Sequence, residues 1–261
     1  MKVLDKNERE KVRKIKLAKN IAYVIFMAII MYGFLYVIVN NVGGYKRDES
    51  LNVKYDLKTD LIPDPIQEKI DATNFVKKVR GVNLTITKFA TYDITGKVEA
   101  IQEYDTSLTG SLLGMQGTNV IDYISPIDLT LSWGEIALEE NSDHITCDQY
   151  YMNTDRIVWF NYDSYLQNKY SASYILSHVS NNHIIALDQG IRNELKKVKL
   201  LDVVRMQGYL VQVRGDNGVN WGPSSQSRTD TGNHSCEIIY VEKFIKIYKN
   251  EIKLDLITKL C

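Results

Sequence analysis

The sequence reads IAYVIFMAIIMYGFLYVIV from Ile21 to Val39, nineteen residues without a charged side chain. As a helix rising about 1.5 Å per residue, it would cover roughly 28 Å, close to the thickness of a bilayer's hydrocarbon core. A lone segment in lipid has to be helical, because every backbone N–H needs a carbonyl partner within the segment. The stretch therefore predicts a transmembrane helix that contacts membrane lipid through residues 21–39.

Charge is distributed unevenly on the two sides of this stretch. Residues 1–20 hold eight basic and three acidic side chains, whereas Lys46 and Arg47 on the other side are offset by acidic neighbours. Basic flanks stay in the cytoplasm. We therefore expect a single-pass protein of the cell membrane, with residues 1–20 as a cytoplasmic basic segment and the C-terminal domain periplasmic or extracellular.

Two alternatives to a membrane anchor are a cleaved signal peptide and a buried core helix. The apolar region of a signal peptide is typically about 7–15 residues long and ends at a small-residue cleavage site. Here the apolar stretch is longer and no A-x-A pattern follows it. The length favours an uncleaved anchor.

The full chain of 261 residues has the composition of a globular protein, with 44% hydrophobic and 25% charged residues. Residues 40–64 are polar and predict a juxtamembrane linker, and residues 65–261 an exported α+β domain. The apolar spacing of Pro65–Arg80 indicates a short amphipathic helix. From Val82 the period changes to two, and Gly96 is predicted to lie in the turn of a hairpin.

The C-terminal part predicts one helix followed by three strands. Asp188 is a good N-cap for a helix through Leu195. Segments rich in strand-forming residues follow, one before and one after a Gly-rich turn at 215–218. This order favours a small OB-like or SH3-like β-barrel over about residues 187–247. The fold class is therefore α+β, mostly β, behind one N-terminal transmembrane helix.

Polar residues that could form a site are scattered over the domain. If the domain is an enzyme, histidines and carboxylates could exchange protons, and the candidates are His178, His183, His234, Asp128 and Asp230. If it binds a ligand, the candidates are the polar residues of two segments and one tryptophan: Asn181, Asn182, His183, Arg228, Asp230 and Trp133.

Three cysteines remain to be placed. Cys147 and Cys236 could form a disulfide outside the cytosol, or Cys236 could be a nucleophile beside His234. Histidine and cysteine spacings match no metal-ligand pattern, and no phosphate-binding or dinucleotide-binding loop is present. We therefore predict no metal and no cofactor.

Several segments resemble those of an uncharacterised family of bacterial proteins that are often anchored in a membrane. The family has SPxDLxLxWG and SRTDTGxxxCE-like segments. The matching segments here are YDITGKVEAIQEY (92–104), SPIDLTLSWG (125–134), NNHIIA (181–186), GYLVQV (208–213) and SRTDTGNHSCEIIYVE (227–242). The resemblance covers roughly residues 82–245 and implies a bacterial origin and one exported unit. It assigns no catalytic residue. The chain departs from the family at 182–186, where a Met and a Pro are expected.

The sequence contains no self-consistent acid, base and nucleophile. We therefore expect a non-catalytic binding or assembly module of an envelope complex, with a protein partner or a second copy of the chain. The alternative is an envelope hydrolase or transferase with a His/Asp site, and the tyrosine-rich segment 150–174 suggests an oligomeric scaffold as a third. With 32 basic and 32 acidic residues the net charge is zero, which argues against a nucleic-acid partner.

Overall fold

A computed structural model describes residues 6–41, 45–46, 48–104, 119–152, 155–225, 227 and 236–247. The chain divides into two compact units, Met1–Gly44 and Tyr45–Cys261.

The N-terminal unit consists of one long helix, α1, Lys6–Asn41. Its stretch Arg13–Tyr36 is long and apolar enough to cross a membrane. The most hydrophobic part of this stretch contains no buried residue. A helix in the core of a soluble protein is mostly buried, so the core-helix alternative does not describe α1. The predicted apolar helix is confirmed.

The folded unit begins earlier than the sequence predicts. Leu51, Leu57 and Ile62 come from the segment assigned to a linker, yet all three are buried in the main hydrophobic core. Tyr45 OH donates to the carbonyl of Phe244 at 2.8 Å and accepts from its backbone N–H at 2.7 Å. From Tyr45 onward, therefore, the chain packs on the folded unit.

The helix predicted for Pro65–Arg80 is wrong, because the segment forms strand β1, Ile66–Val79. β1 pairs antiparallel with β2, Val82–Glu103, through a tight turn in which Arg80 and Gly81 have positive φ angles of 48° and 86°. A short helix with few apolar contacts is marginal alone, whereas strand pairing satisfies the backbone along most of this segment.

The hairpin turn predicted around Gly96 is also wrong, because β2 continues through it without a break. A Cβ on Gly96 would lie 2.8 Å from Leu131 Cβ. The glycine therefore permits close packing against the neighbouring strand β3, Ile127–Ser132, and does not form a turn. It marks a close approach of two strands.

Most of the remaining elements agree with the sequence prediction. Asp188 caps the helix after it, accepting from the N–H of Ile191, and the strands expected near Asp128, Met206 and Ile239 are present. The tyrosine-rich segment forms a hairpin and then two short helices.

The remaining elements are helix α2, Val120–Ile124; strands β4, Ile145–Met152, and β5, Asp155–Tyr162; helices α3, Ser164–Lys169, and α4, Ala172–Ser177; strand β6, Val179–Ile185; helix α5, Gln189–Leu195; and strands β7, Val203–Gly215, β8, Asn220–Trp221, and β9, Glu237–Ile247. Three short 3₁₀ helices cover Glu49–Leu51, Glu135–Ala137 and Glu139–His144.

Seven strands form one mixed sheet in the order β1-β2-β3-β6-β9-β7-β8, and β2 also pairs with β7. The β6–β9 pair is parallel and the others are antiparallel. Residues 187–247 therefore do not form a separate sheet, because β7 pairs with β2 and β9 with β6. β4 and β5 form a hairpin of their own. The mostly-β α+β class is confirmed.

Candidate functional site

Three neighbouring strands bring three sequence candidates together. Asp128 on β3 pairs directly with His183 on β6, and Cys236 immediately precedes Glu237, the first residue of β9 to pair with β6. Side chains alternate between the two faces of a sheet, so Asn181, His183 and the flanking Asp128 share one face. Cys236 reaches that face from the adjacent strand, where the Asn181 amide lies 3.9 Å from its sulfur.

Asp128 is the centre of this cluster. It is 2% exposed, and its Oδ2 accepts from Tyr104 OH at 2.7 Å and lies 2.9 Å from His183 Nδ1. Its Oδ1 accepts from Arg156 Nη1 at 2.9 Å. Both carboxylate oxygens are therefore engaged, as a buried charge requires.

Arg156 is the residue that sequence reasoning missed. It enters from β5 and donates to Asp122 Oδ1 at 2.6 Å and to the carbonyl and hydroxyl of Ser125 at 2.7 and 2.9 Å. Its guanidinium lies 3.7 Å from the centroid of the Tyr104 ring and 5.4 Å from that of Trp221. Arg156 thus attaches the β4–β5 hairpin to the main sheet through charge-assisted bonds.

The exposure pattern along β5 shows which face of the strand Arg156 occupies. In RIVWFNY the residue precedes exposed Ile157, and the exposed Trp159 lies two positions further on, so Arg156 occupies the opposite, inward register of the strand. A charge on the inward face of a strand needs a buried partner.

Burial and neighbouring charges shift the pKa values in opposite directions. Burial raises the pKa of Asp128, but the charges of His183 and Arg156 outweigh it and hold that pKa below its usual value. Burial lowers the pKa of His183, but the Asp128 carboxylate and the Cys236 thiol raise it from 6.5 to about 9. Burial and the Asp128 charge raise the pKa of Tyr104. At neutral pH the cluster therefore contains an imidazolium and an ionised Asp128.

The raised pKa of His183 makes stability depend on pH. Its contribution is fully present below the unfolded pKa of 6.5 and is lost as pH rises through about 9. We expect the free energy of unfolding to fall by up to about 3 kcal/mol across this interval. Urea unfolding of the full chain in detergent micelles, followed from pH 6 to about 9.5, measures it.

The matched control for the pH profile is His183→Gln, in which the fall should largely disappear. His178→Gln should leave the fall intact, because that histidine lies outside the cluster. A wild-type profile that is flat over the interval would contradict the assignment of His183 as an imidazolium.

The other sequence candidates lie elsewhere or are structural. His178 stacks on Tyr174, with ring centroids 3.9 Å apart, and its Nδ1 lies 2.7 Å from the Tyr174 carbonyl. Asn182 is fully buried and donates to the carbonyls of Leu129 and Ser180. Trp133 is fully buried in the main core. Arg228, Asp230 and His234 lie outside the described residues.

Cys147 and Cys236, for which a disulfide was one of the interpretations of the sequence, are both free thiols. Cys147 packs with Ile145 and Phe160 in a small separate cluster. Burial and the nearby Glu99 charge raise the pKa of Cys147 to about 12.

An open groove lies away from the Asp128 cluster. It has a volume of about 270 Å³, and its wall includes Glu68, Asp93, Tyr209, Glu242 and Lys243 from β1, β2, β7 and β9. No member of the Asp128 cluster lines it.

No group of three or more His, Cys, Asp or Glu side chains in the described part of the chain could hold a metal ion. No protein family model, curated protein sequence or solved structure matches the chain.

Proposed function

We propose that this chain is a single-pass membrane protein of a bacterial envelope whose folded unit is a non-catalytic binding or assembly module. The observation that carries the proposal is the closure of its polar centre, in which Asp128, His183 and Arg156 are 2%, 5% and 7% exposed. A catalytic site needs room for a substrate beside its acid and base. We infer that the network instead holds the β4–β5 hairpin on the sheet.

The outward face of that hairpin is the surface we assign to a partner. Ile157 and Trp159 are 40% and 61% exposed and lie on the face of β5 opposite to Arg156. Exposed aromatic side chains are enriched in protein interfaces because they bury a large apolar area. The partner is a second protein or another copy of this chain, and the balanced charge argues against nucleic acid.

We further propose that five strands form a small closed barrel of the OB kind. The pairings run β2–β3–β6–β9–β7 and return to β2, and α5 lies between β6 and β7. Closing a sheet removes exposed edges. An SH3-like barrel is the less suitable description, because the inserted helix and the parallel β6–β9 pair are features of the OB arrangement.

The orientation that we propose follows from the basic flank. Residues 1–20 carry eight basic side chains, which favours retention of the N-terminus in the cytoplasm. The folded unit then lies in the periplasm or outside the cell, with lipid around residues 21–39.

The proposal is tested on the full chain in native membranes. A photo-crosslinking residue in place of Trp159 should give a discrete adduct with another protein or with a second copy, because the outward face of β5 contacts a partner. A reporter fused to the C-terminus should be active only outside the cytosol.

The control is the same crosslinking residue at Lys58, an exposed position outside the hairpin. An adduct yield at position 159 no higher than at position 58 would contradict the binding role. A reporter active in the cytosol would contradict the orientation and leave the crosslinking result standing.

An envelope hydrolase or transferase is the second candidate, favoured by the 2.9 Å contact between His183 and Asp128. Two observations weigh against it. Tyr104 and Arg156 already engage Asp128, and His178, the other histidine within the described residues that was proposed for catalysis, lies on Tyr174 instead.

A further inference from the structure

We propose that the turn after helix α5 contacts an anionic lipid surface, with Leu200 and Leu201 in the bilayer interface and the neighbouring lysines bound to lipid phosphates. The inference goes beyond the proposed binding function. It depends neither on the partner of the β4–β5 hairpin nor on the side of the membrane on which the folded unit lies.

The first observation is a pair of adjacent, exposed leucines in a tight turn. Leu200 is 60% exposed and Leu201 is 42% exposed. They are the two central residues of a turn in which the N–H of Asp202 donates to the carbonyl of Lys199 at 3.1 Å. The N–H of Lys199 donates in return to Asp202 Oδ2 at 2.6 Å. The turn is therefore fixed by hydrogen bonds, and its two apolar side chains face solvent.

The second observation is backbone strain at one of these leucines. Leu201 has a φ of 64°, in the left-handed region, where glycine or asparagine is usual at this position of a turn. Its N–H donates to the carbonyl of Val98 on β2 at 2.8 Å, which holds the conformation. Because a side chain is strained in this region, folding alone would favour a glycine. An apolar side chain at such a position points to a contact outside the folded unit.

The third observation is the positive charge around the turn. Residues 194–202 and the lysine paired with Asp202 contribute four lysines and two carboxylates: Glu194, Lys196, Lys197, Lys199, Asp202 and Lys246. Each carboxylate pairs with a lysine of this group. Lys196 and Lys199 are exposed and form no ion pair with a described residue. Two positive charges therefore remain for an anion beside the leucines.

The composition of the turn fits lipid better than it fits protein. Protein interfaces are enriched in aromatic residues and arginine and depleted in lysine, whereas residues 195–201 read LKKVKLL. A stable protein interface buries about 800 Å² on each side, which is more than two leucines provide. At a membrane surface, by contrast, an apolar side chain enters the acyl boundary while adjacent ammonium groups stay among the phosphates.

Lipid is also a partner that an anchored chain has close by. The stretch Arg13–Tyr36 of α1 is long and apolar enough to cross a membrane. A second contact of an anchored chain with the bilayer is effectively intramolecular, so it is populated even when it is weak. Each lysine near an anionic surface strengthens such a contact about fivefold, and burial of the leucines adds to it.

The experiment uses the full chain in vesicles of phosphatidylcholine that contain phosphatidylglycerol at about a third of the lipid. A dansyl-bearing residue in place of Leu200 reports insertion through quenching by lipids brominated on their acyl chains. We expect this quenching to be at least about threefold stronger than for the same residue in place of Val76. Val76 is the matched control, because it is 63% exposed and lies on β1 opposite Thr85, far along β2 from Val98.

Charge reversal tests the role of the lysines. Lys196→Glu combined with Lys199→Glu should reduce quenching at position 200 to about the level at position 76. Omission of phosphatidylglycerol should have a similar effect. Lys77→Glu combined with Lys78→Glu is the control and should change nothing, because these exposed lysines pair near the start of β2.

Leu201→Asn separates the lipid contact from folding. Asparagine tolerates the left-handed region, so the variant should be at least as stable in urea as the wild type, yet quenching at position 200 should fall at least about twofold. A lower urea midpoint would mean that Leu201 serves the fold and would overturn the proposal.

Two further results would overturn the proposal. One is quenching at position 200 that is no stronger than at position 76 or does not depend on phosphatidylglycerol. The other is a blue-shifted dansyl emission at position 200 without lipid quenching, which would identify a protein contact instead. A failed Trp159 crosslink would bear only on the binding function.

Discussion

Replacing Arg156 with methionine is expected to destabilise the folded unit by about 3–5 kcal/mol, because it leaves buried carboxylates without their cation. Asp122 and Asp128 are each 2% exposed, and Arg156 lies 2.6 and 2.9 Å from them. Methionine retains much of the apolar volume of the side chain, so the loss reports on charge and hydrogen bonding. Urea unfolding of the full chain in micelles measures the change.

Arg205→Met is the matched control. Arg205 also binds a carboxylate with two nitrogens, at 2.9 and 2.7 Å from Asp93, but both side chains are 22% exposed. A pair with this access to water contributes about 1 kcal/mol or less. A loss for Arg156→Met no larger than for Arg205→Met would contradict the buried network.

A triple variant distinguishes two causes of the lost stability, which are uncompensated carboxylates and lost packing. Arg156→Met combined with Asp122→Asn and Asp128→Asn removes the cation and both anions together. Replacing a complete buried network with neutral groups is often nearly neutral in free energy. Recovery of most of the stability would identify the uncompensated carboxylates, and not lost packing, as the cause.

Local signals made part of this fold predictable. In lipid the uncharged stretch would have to be a helix to satisfy its backbone hydrogen bonds, and Asp188 is followed three residues later by the N–H from which it accepts. β3 was recognisable because its apolar and polar residues alternate. These features depend on residues within a few positions of one another.

Features that depend on distant partners were not predictable. Arg156 meets its two aspartates 28 and 34 positions away in sequence, and no local pattern records that meeting. Gly96 has the sequence context of a turn, yet its role is set by the approach of Leu131. The spacing of apolar residues in β1 matches a helix, but pairing with β2 decides its conformation.

The candidate site was predicted in part for the same reason. His183 and Asp128 were recognisable as titratable residues in polar segments, but their contact comes from the β3–β6 register. The sequence paired Cys236 with its neighbour His234. The structure instead brings Asn181 to it, from a strand more than fifty positions earlier, with the amide nitrogen 3.9 Å from the sulfur.

Gly208→Ala is expected to cost about 3 kcal/mol or more, because the added methyl group meets backbone that cannot move aside. A Cβ on Gly208 would lie 2.0 Å from the carbonyl oxygen of Tyr240 and 3.1 Å from the Cα of Val241. Both atoms belong to β9, and the β7–β9 register shifts at this point. The two strands would have to separate locally, which should lower the urea midpoint and the folded yield of the full chain.

Gly218→Ala controls for the loss of a glycine as such. Gly218 has a φ of 88°, and nothing lies within 4 Å of an added Cβ. Its replacement should therefore cost only about 1–2 kcal/mol of backbone strain. The comparison bears on the proposed closed barrel, because β7 bonds to β2 on one side and to β9 on the other. Equal losses for the two variants would mean that β7 and β9 are not held together at Gly208, and the ring of strands would then be open at that pair.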